Sequence, residues 1–305
     1  MISKSEGGKS RVDGTNATCR ALPPSLREYL WGLSLVDPET QDKCWRTVAA
    51  RAKYWNIPAH KVHTSPIHGL IGKIVAELCD FLDLPLRSTE MARLSSVLNH
   101  MYLGSKVYGF REAAMGFELV RTYPDVQFQN LSPMLLRLLE LVPVDAVGGL
   151  ATQAVSLVEQ QEPRFHAHVK SLYHNMNPGE FQAVTGQRNL PFPSTFGVVF
   201  ERWLKYLFVG FLSPPCVDFL WDQLFLFGPK GSSLPLAMCA TVFALLGPRI
   251  LQARNLTELD AIVTTAVQSI KLSELRNAFG PTCREHSARA LRDLPTHLGS
   301  HQPFR

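Results

Sequence analysis

No two of the six cysteines form a Cys-x-x-Cys pair, and no short gap separates Cys19, Cys44, Cys79, Cys216, Cys239 and Cys283. That spacing argues against a zinc ligand set and against a disulfide framework, so reduced thiols in a cytosolic protein are expected. Long apolar runs are missing too. The stretches Leu204–Leu212 and Leu234–Leu246 fall short of the roughly 20 residues a membrane span needs. Both are expected as buried helices, and no transmembrane segment is expected. The first twenty residues carry Lys4, Glu6, Lys9, Arg11 and Asp13 without an apolar h-region, which argues against a secretory signal. Without a secretory route the Asn-x-Ser/Thr matches at Asn16, Asn130 and Asn255 carry no weight. The net charge of +5 gives weak attraction to acidic partners, but no Lys/Arg stripe interleaves with aromatics, so no nucleic-acid partner is expected.

Alternating β-branched runs are scarce, and apolar residues recur every three or four positions, which predicts an all-α fold. At 305 residues, 46% hydrophobic and 19% charged, the chain is long and apolar enough for one sizeable core. Periodicity with Pro and Gly punctuation predicts helices at 25–34, 40–54, 67–82, 90–103, 108–122, 132–142, 144–160, 164–175, 196–212, 214–227, 233–246 and 257–278. Asp37 or Thr40 is expected to cap the second helix, and Ser132 before Pro133 reads as a cap followed by proline at the first helical position. Residues 1–21 read as a flexible leader. A helical domain is expected over 22–278, divided by the Pro- and Gly-rich loop Asn175–Ser194 into lobes of about 22–175 and 195–278. The basic, His-containing stretch 279–305 is expected to be a loosely ordered tail. No repeat of 33 to 47 residues is present, which disfavours helical solenoids.

Enzyme signatures are absent or incomplete. Gly69-Leu70-Ile71-Gly72-Lys73 ends like a phosphate loop, but Ile67 stands where its first glycine belongs and no Ser or Thr follows the lysine. His63 and His68 flank Ser65 without a nucleophile elbow or an orienting acid. His166, His168 and His174 near Glu162 invite a metal reading, yet i and i+2 positions on a helix point apart. No metal site and no cofactor is expected.

Three stretches carry positive information. Leu22–Leu33 reads LPPSLREYLWGL, placing Arg27 and Trp31 four apart on one helix face, where a cation–π or packing role is expected. Leu94–Tyr102 is followed by Val107-Tyr108-Gly109-Phe110-Arg111-Glu112. Phe200–Gly228 joins an aromatic helix with Trp203 to a Ser-Pro-Pro break and a second helix bearing Trp221-Asp222. In this order, over about residues 22–250, they resemble the TBC (Rab-GAP) domain family. The signature residues are Arg27, Trp31, Trp203, Trp221 and Asp222, for which core packing and pairing are the expected roles.

The resemblance implies a two-lobed helical TBC-like domain that regulates or binds Rab-family small GTPases in vesicle trafficking, in the cytoplasm or at membranes reached through partners. Family members supply an arginine from Ile-x-x-Asp-x-x-Arg and a glutamine from Tyr-x-Gln-Gly-Met. The first offsets charge on the transferred phosphoryl group and the second orients the attacking water. Here Phe110 occupies the glutamine position. The arginine motif is broken: in Asp80–Arg87, Asp83 and Arg87 stand four apart rather than three. Arg87 is the remaining arginine-finger candidate, and Arg87, Tyr108, Phe110, Arg111 and Glu112 are the expected GTPase contacts. Arg111 and Glu112 also read as an ordinary surface pair. The departure implies absent or severely weakened GTPase activation, a pseudo-GAP. The alternative is a helical adaptor in a larger assembly that touches no GTPase.

Overall fold

A computed structural model describes residues 21–58, 61–82, 88–174, 192–227 and 233–292. Among the described residues there are thirteen α-helices and no named strand: α1 Pro24–Leu35, α2 Pro38–Tyr54, α3 His68–Leu82, α4 Ser88–Ser105, α5 Phe110–Thr122, α6 Phe128–Leu141, α7 Val144–Gln161, α8 Pro163–His174, α9 Phe192–Lys205, α10 Pro214–Phe227, α11 Leu234–Ile250, α12 Leu256–Thr264 and α13 Leu272–Arg292. The all-α expectation holds.

Two helices are buried around their whole circumference, the mark of a helix at the centre of a domain. Every residue of α5 from Arg111 to Val120 and every residue of α10 from Cys216 to Phe225 is buried. Helices α3, α4 and α6 pack on α5, while α1, α11 and α13 pack on α10; α7 packs against α9 and α11, and α1 also packs on α6. One apolar core runs through the whole, from Trp31 to Phe279. A small second cluster, Cys44, Val48 and Leu103, lies apart from it between α2 and α4. Cys44, Cys79, Cys216 and Cys239 are free thiols.

Several boundaries move, each for a local reason. Asp37 does cap α2, accepting the backbone N–H of Thr40 at 3.0 Å. Ser132 does not cap α6, which begins four residues earlier at Phe128. Pro133 therefore lies inside the helix, where it cannot donate to the carbonyl of Gln129. The indole Nε1 of Trp45 donates to that carbonyl at 3.2 Å, so the vacated acceptor is satisfied from α2. Ser132 instead donates to Phe128 O at 2.9 Å and Val97 O at 3.1 Å.

The helix expected over 196–212 ends at Lys205. Leu207 and Phe208 then adopt φ of 45° and 67°, left-handed values that cost an L-residue about 1–2 kcal/mol each. Their burial, with the indole of Trp221 donating to Leu207 O at 3.0 Å, offsets that strain. Gly210 follows at φ 82°, and a Cβ there would fall 2.2 Å from the ring of Phe81. The helix expected over 257–278 is two helices separated by the 3-10 turn Ala266–Ser269. The second, α13, continues past 278 to Arg292. Most of the loop expected to part the lobes, and residues 1–20 and 293–305, lie outside the described residues.

Candidate functional site

Two of the signature residues named from sequence, Arg27 and Trp31, converge on the buried carboxylate of a third. Asp222 on α10 is 0% exposed. It accepts from Arg27 Nε at 2.9 Å, Arg27 Nη2 at 3.1 Å, Trp31 Nε1 at 3.1 Å and the backbone N–H of Leu22 at 3.0 Å. Burial pushes the Asp222 carboxyl upward, against the pull of Arg27 and the other donors. The guanidinium of Arg27 lies 5.9 Å from the Trp31 ring centroid, and Trp31 packs on Trp221 at 5.3 Å. Trp203 donates to Val263 O at 3.2 Å, tying α9 to α12. Arg27, Trp31, Trp203, Trp221 and Asp222 all make these contacts within the fold.

The sequence did not reveal how far this network reaches. Arg27 Nη1 also pairs with Asp218 at 2.8 Å. Asp218 in turn meets Arg121 of α5, which pairs with Glu118. The two central helices are thus joined through charge. Burial pushes Glu118 up to about 7, with Arg121 pulling the other way. Burial also works against the charge on Arg121, but the Glu118 and Asp218 carboxylates outweigh it and hold the guanidinium protonated. Asp218, four residues before Asp222 on the same face, was the available signal.

The segment at the start of α5 gathers four of the five GTPase-contact candidates, in three different environments. Tyr108 is 41% exposed and stands edge-on to Tyr102 at 5.4 Å. Tyr102 stacks on Trp55 at 6.0 Å, and Trp55 meets Tyr54, so a row of four aromatics runs along this face. Phe110 points elsewhere. Its ring lies 5.3 Å from Phe81 and 5.8 Å from Tyr206, and Phe81 reaches Phe211 at 5.9 Å. This aromatic cluster joins α3, α5 and the turn after α9.

Arg111 and Glu112 are not a surface pair; they are 6% and 9% exposed. Arg111 Nε donates to Lys205 O at 2.9 Å and Nη2 donates to Val142 O, so it closes the C-terminal ends of α9 and α6. Burial lowers its pKa, with Glu112 pulling in the opposite direction. The Glu112 carboxylate lies over Gly109, where a Cβ would approach Oε2 to 2.7 Å; glycine is what leaves room for it. Both charged groups line a groove of about 660 Å³ between α2, α4, α6 and the start of α7, with Val107 and Val144 exposed at its sides. Arg87 lies outside the described residues.

The other sequence candidates are placed as follows. Ser65 Oγ donates to Asn99 at 2.6 Å, and Asn99 rather than an acid contacts His68, at 2.9 Å. His168 Nε2 is 3.0 Å from Ala253 O, whereas His166 lies by Glu159 at 3.8 Å, so the two point to different partners.

Neither a family model nor a curated protein matches the sequence. Solved structures do match the fold. The crystal structure of the Chlamydomonas flagellar RabGAP TBC domain is similar over 90% of this chain and 84% of that one, with a TM-score of 0.60 and 16% identity. The Ypt/Rab-GAP domain of Gyp1p is similar over 90% of this chain and 91% of that one, with a TM-score of 0.55 and 12% identity. The similarity to both domains, over 90% of this chain at low identity, makes it a divergent example of the TBC Rab-GAP fold.

Proposed function

We propose that this chain binds a Rab-family small GTPase through the face that carries Tyr108 and the neighbouring groove, and that it does not accelerate hydrolysis. The fold supports a GTPase partner, since the two solved structures described above are Rab-GAP domains. The observation that carries the second half is the position of Phe110. At the place of the water-orienting glutamine stands an apolar ring packed against Phe81 and Tyr206. A phenyl group has no donor or acceptor for water, and Arg111 beside it is committed to two carbonyls. An arginine finger is worth roughly 10³ to 10⁵ in rate, so a site without its fingers loses activation while its contact surface persists. Arg87 is then the one finger candidate still to be tested. The protein acts at membranes reached through its partner and performs no chemistry of its own.

An adaptor function, independent of any GTPase, is the second reading. It is favoured by α1, where Leu26, Tyr29 and Leu33 form an exposed apolar stripe at helical spacing, with Val36 exposed just past the helix end.

The test is binding and single-turnover hydrolysis across a Rab panel loaded with GDP, a non-hydrolysable GTP analogue, or GDP with aluminium fluoride. Binding with hydrolysis unchanged is the expected result. Fluoride-enhanced binding with faster hydrolysis, abolished by Arg87→Ala, would overturn the pseudo-GAP reading, and no binding to any member would leave the adaptor.

A further inference from the structure

The groove between α2, α4, α6 and the start of α7 has a volume of about 660 Å³. That falls within the range of small-ligand sites, about 300–1,000 Å³. Val107, Leu136, Leu139 and Val144 give it apolar walls. Two exposed charges of opposite sign also line it, Lys43 and Glu140, the latter paired with Arg137 at 2.7 Å.

Set into that apolar wall are Arg111 and Glu112, each more than nine-tenths buried. Arg111 gives Nε to Lys205 O and Nη2 to Val142 O, which leaves Nη1 without an acceptor among the described residues. Glu112 is the third residue of α5, the position from which a glutamate reaches back to the backbone at the helix start. Glu258 of α12 and Glu274 of α13 do so, accepting the N–H of Arg254 at 2.7 Å and of Lys271 at 3.0 Å. Among the described residues no donor reaches Glu112. Glu112 and Arg111 feel each other's charge but make no direct ion pair, so an acceptor and a donor are both left for a third group. Neither Nη1 nor the carboxylate is sealed from solvent, and the space that both residues line is the groove. Charged groups buried this far are costly to leave without hydrogen bonds.

We infer that this groove binds a compact neutral ligand with an apolar body and a primary carboxamide, whose N–H donates to Glu112 and whose carbonyl accepts from Arg111 Nη1. A primary amide carries a donor and an acceptor on the same side, matching an acid and a guanidinium on one wall. A trans peptide bond points its N–H and C=O in opposite directions and serves only one of them. An anionic ligand sets its charge against Glu112 and a cationic one against Arg111, while Lys43 and Glu140 cancel and favour neither. The assignment goes beyond the GTPase reading and does not depend on it, since the ligand is held by this chain alone.

The probes are benzamide, N-methylbenzamide, benzoate and benzylamine, which share an apolar ring and differ in the head group. The full-length protein is titrated with each by calorimetry. The expected result is saturable benzamide binding, with the other three at least about threefold to tenfold weaker, the ratio one net hydrogen bond supplies. Two variants, each checked for an unchanged melting transition, locate the site. Val144→Trp, at an exposed position of the lining, fills the groove and abolishes benzamide binding. Glu112→Gln removes the negative charge and adds a donor, so benzoate gains on benzamide. Tightest binding by benzoate or benzylamine, equal affinity for benzamide and N-methylbenzamide, a benzoate-to-benzamide ratio unmoved by Glu112→Gln, benzamide binding that survives Val144→Trp, or no saturable binding would each overturn the inference.

Discussion

Phe110 meets Phe81 edge to face, with ring centroids 5.3 Å apart and planes inclined at 80°. Phe81 also covers Gly210, whose missing Cβ is what lets the ring approach. Phe110 therefore helps to fix α3 and α5 to the turn after α9.

Restoring the glutamine alone is then expected to cost stability without returning activity. Phe110→Gln removes an aromatic contact and sets an amide against apolar rings, for an expected loss of about 1–3 kcal/mol. Urea unfolding measures the loss, and single-turnover assays with a bound GTPase are expected to show no gain in hydrolysis. A clear rate increase would mean that the segment still presents a finger to its partner.

Truncating Asp222 strands several donors at once. In Asp222→Ala, the Trp31 indole and the Leu22 amide lose their acceptor and Arg27 keeps only Asp218 and the Leu22 carbonyl, so a loss of roughly 3–5 kcal/mol is expected. The double variant Arg27→Leu/Asp222→Leu is expected to lose less than the sum of the two single changes, because it leaves no uncompensated charge. Equilibrium unfolding of the set measures the coupling.

Two buried groups oppose each other in their response to pH. Glu118 titrates near 7 in the folded chain against 4.5 in the unfolded one, so the native state holds more protons between those values and stability falls as pH rises through them. The groups facing it are Arg121 on its own helix and Asp218 on α10. His100 is pushed down by burial to about 4 from 6.5, so there the unfolded state holds more protons and stability rises with pH. Relative to the unaltered protein, Glu118→Gln is expected to gain stability as pH rises from about 4.5 to 7, and His100→Gln to lose ground between about 4 and 6.5. Urea midpoints at several pH values check both, and parallel curves for all three proteins would refute the assignments.

Much of the architecture was legible from spacing. The parts of the clamp could be read, because Arg27 and Trp31 share a helix face and Asp222 is an acid inside an apolar run, where it needs a partner, but their pairing across the fold could not. What resisted reading depended on tertiary partners. Pro133 looks like a helix start until Trp45 is seen to serve the carbonyl that the proline leaves open. The apolar period gives no warning that α9 stops at Lys205, because Leu207 and Phe208 are as buried in a left-handed turn as they would be in a helix. Arg111 and Glu112 looked like surface charges because nothing local records that α6 and α9 end against them.

The clamp between Arg27 and Asp222 spans 195 residues of chain, which gives it a consequence during synthesis. At about 5–20 residues per second, a ribosome takes roughly 10–40 seconds to travel from one partner to the other. Throughout that interval α1 is made but its acceptor is not, so Trp31 lacks Asp222, Trp221 and Phe225. The contacts of α1 with α6 and Tyr123 can form earlier, but those with α10 are among the last to be made, and the nascent chain carries its signature tryptophan without them until α10 emerges.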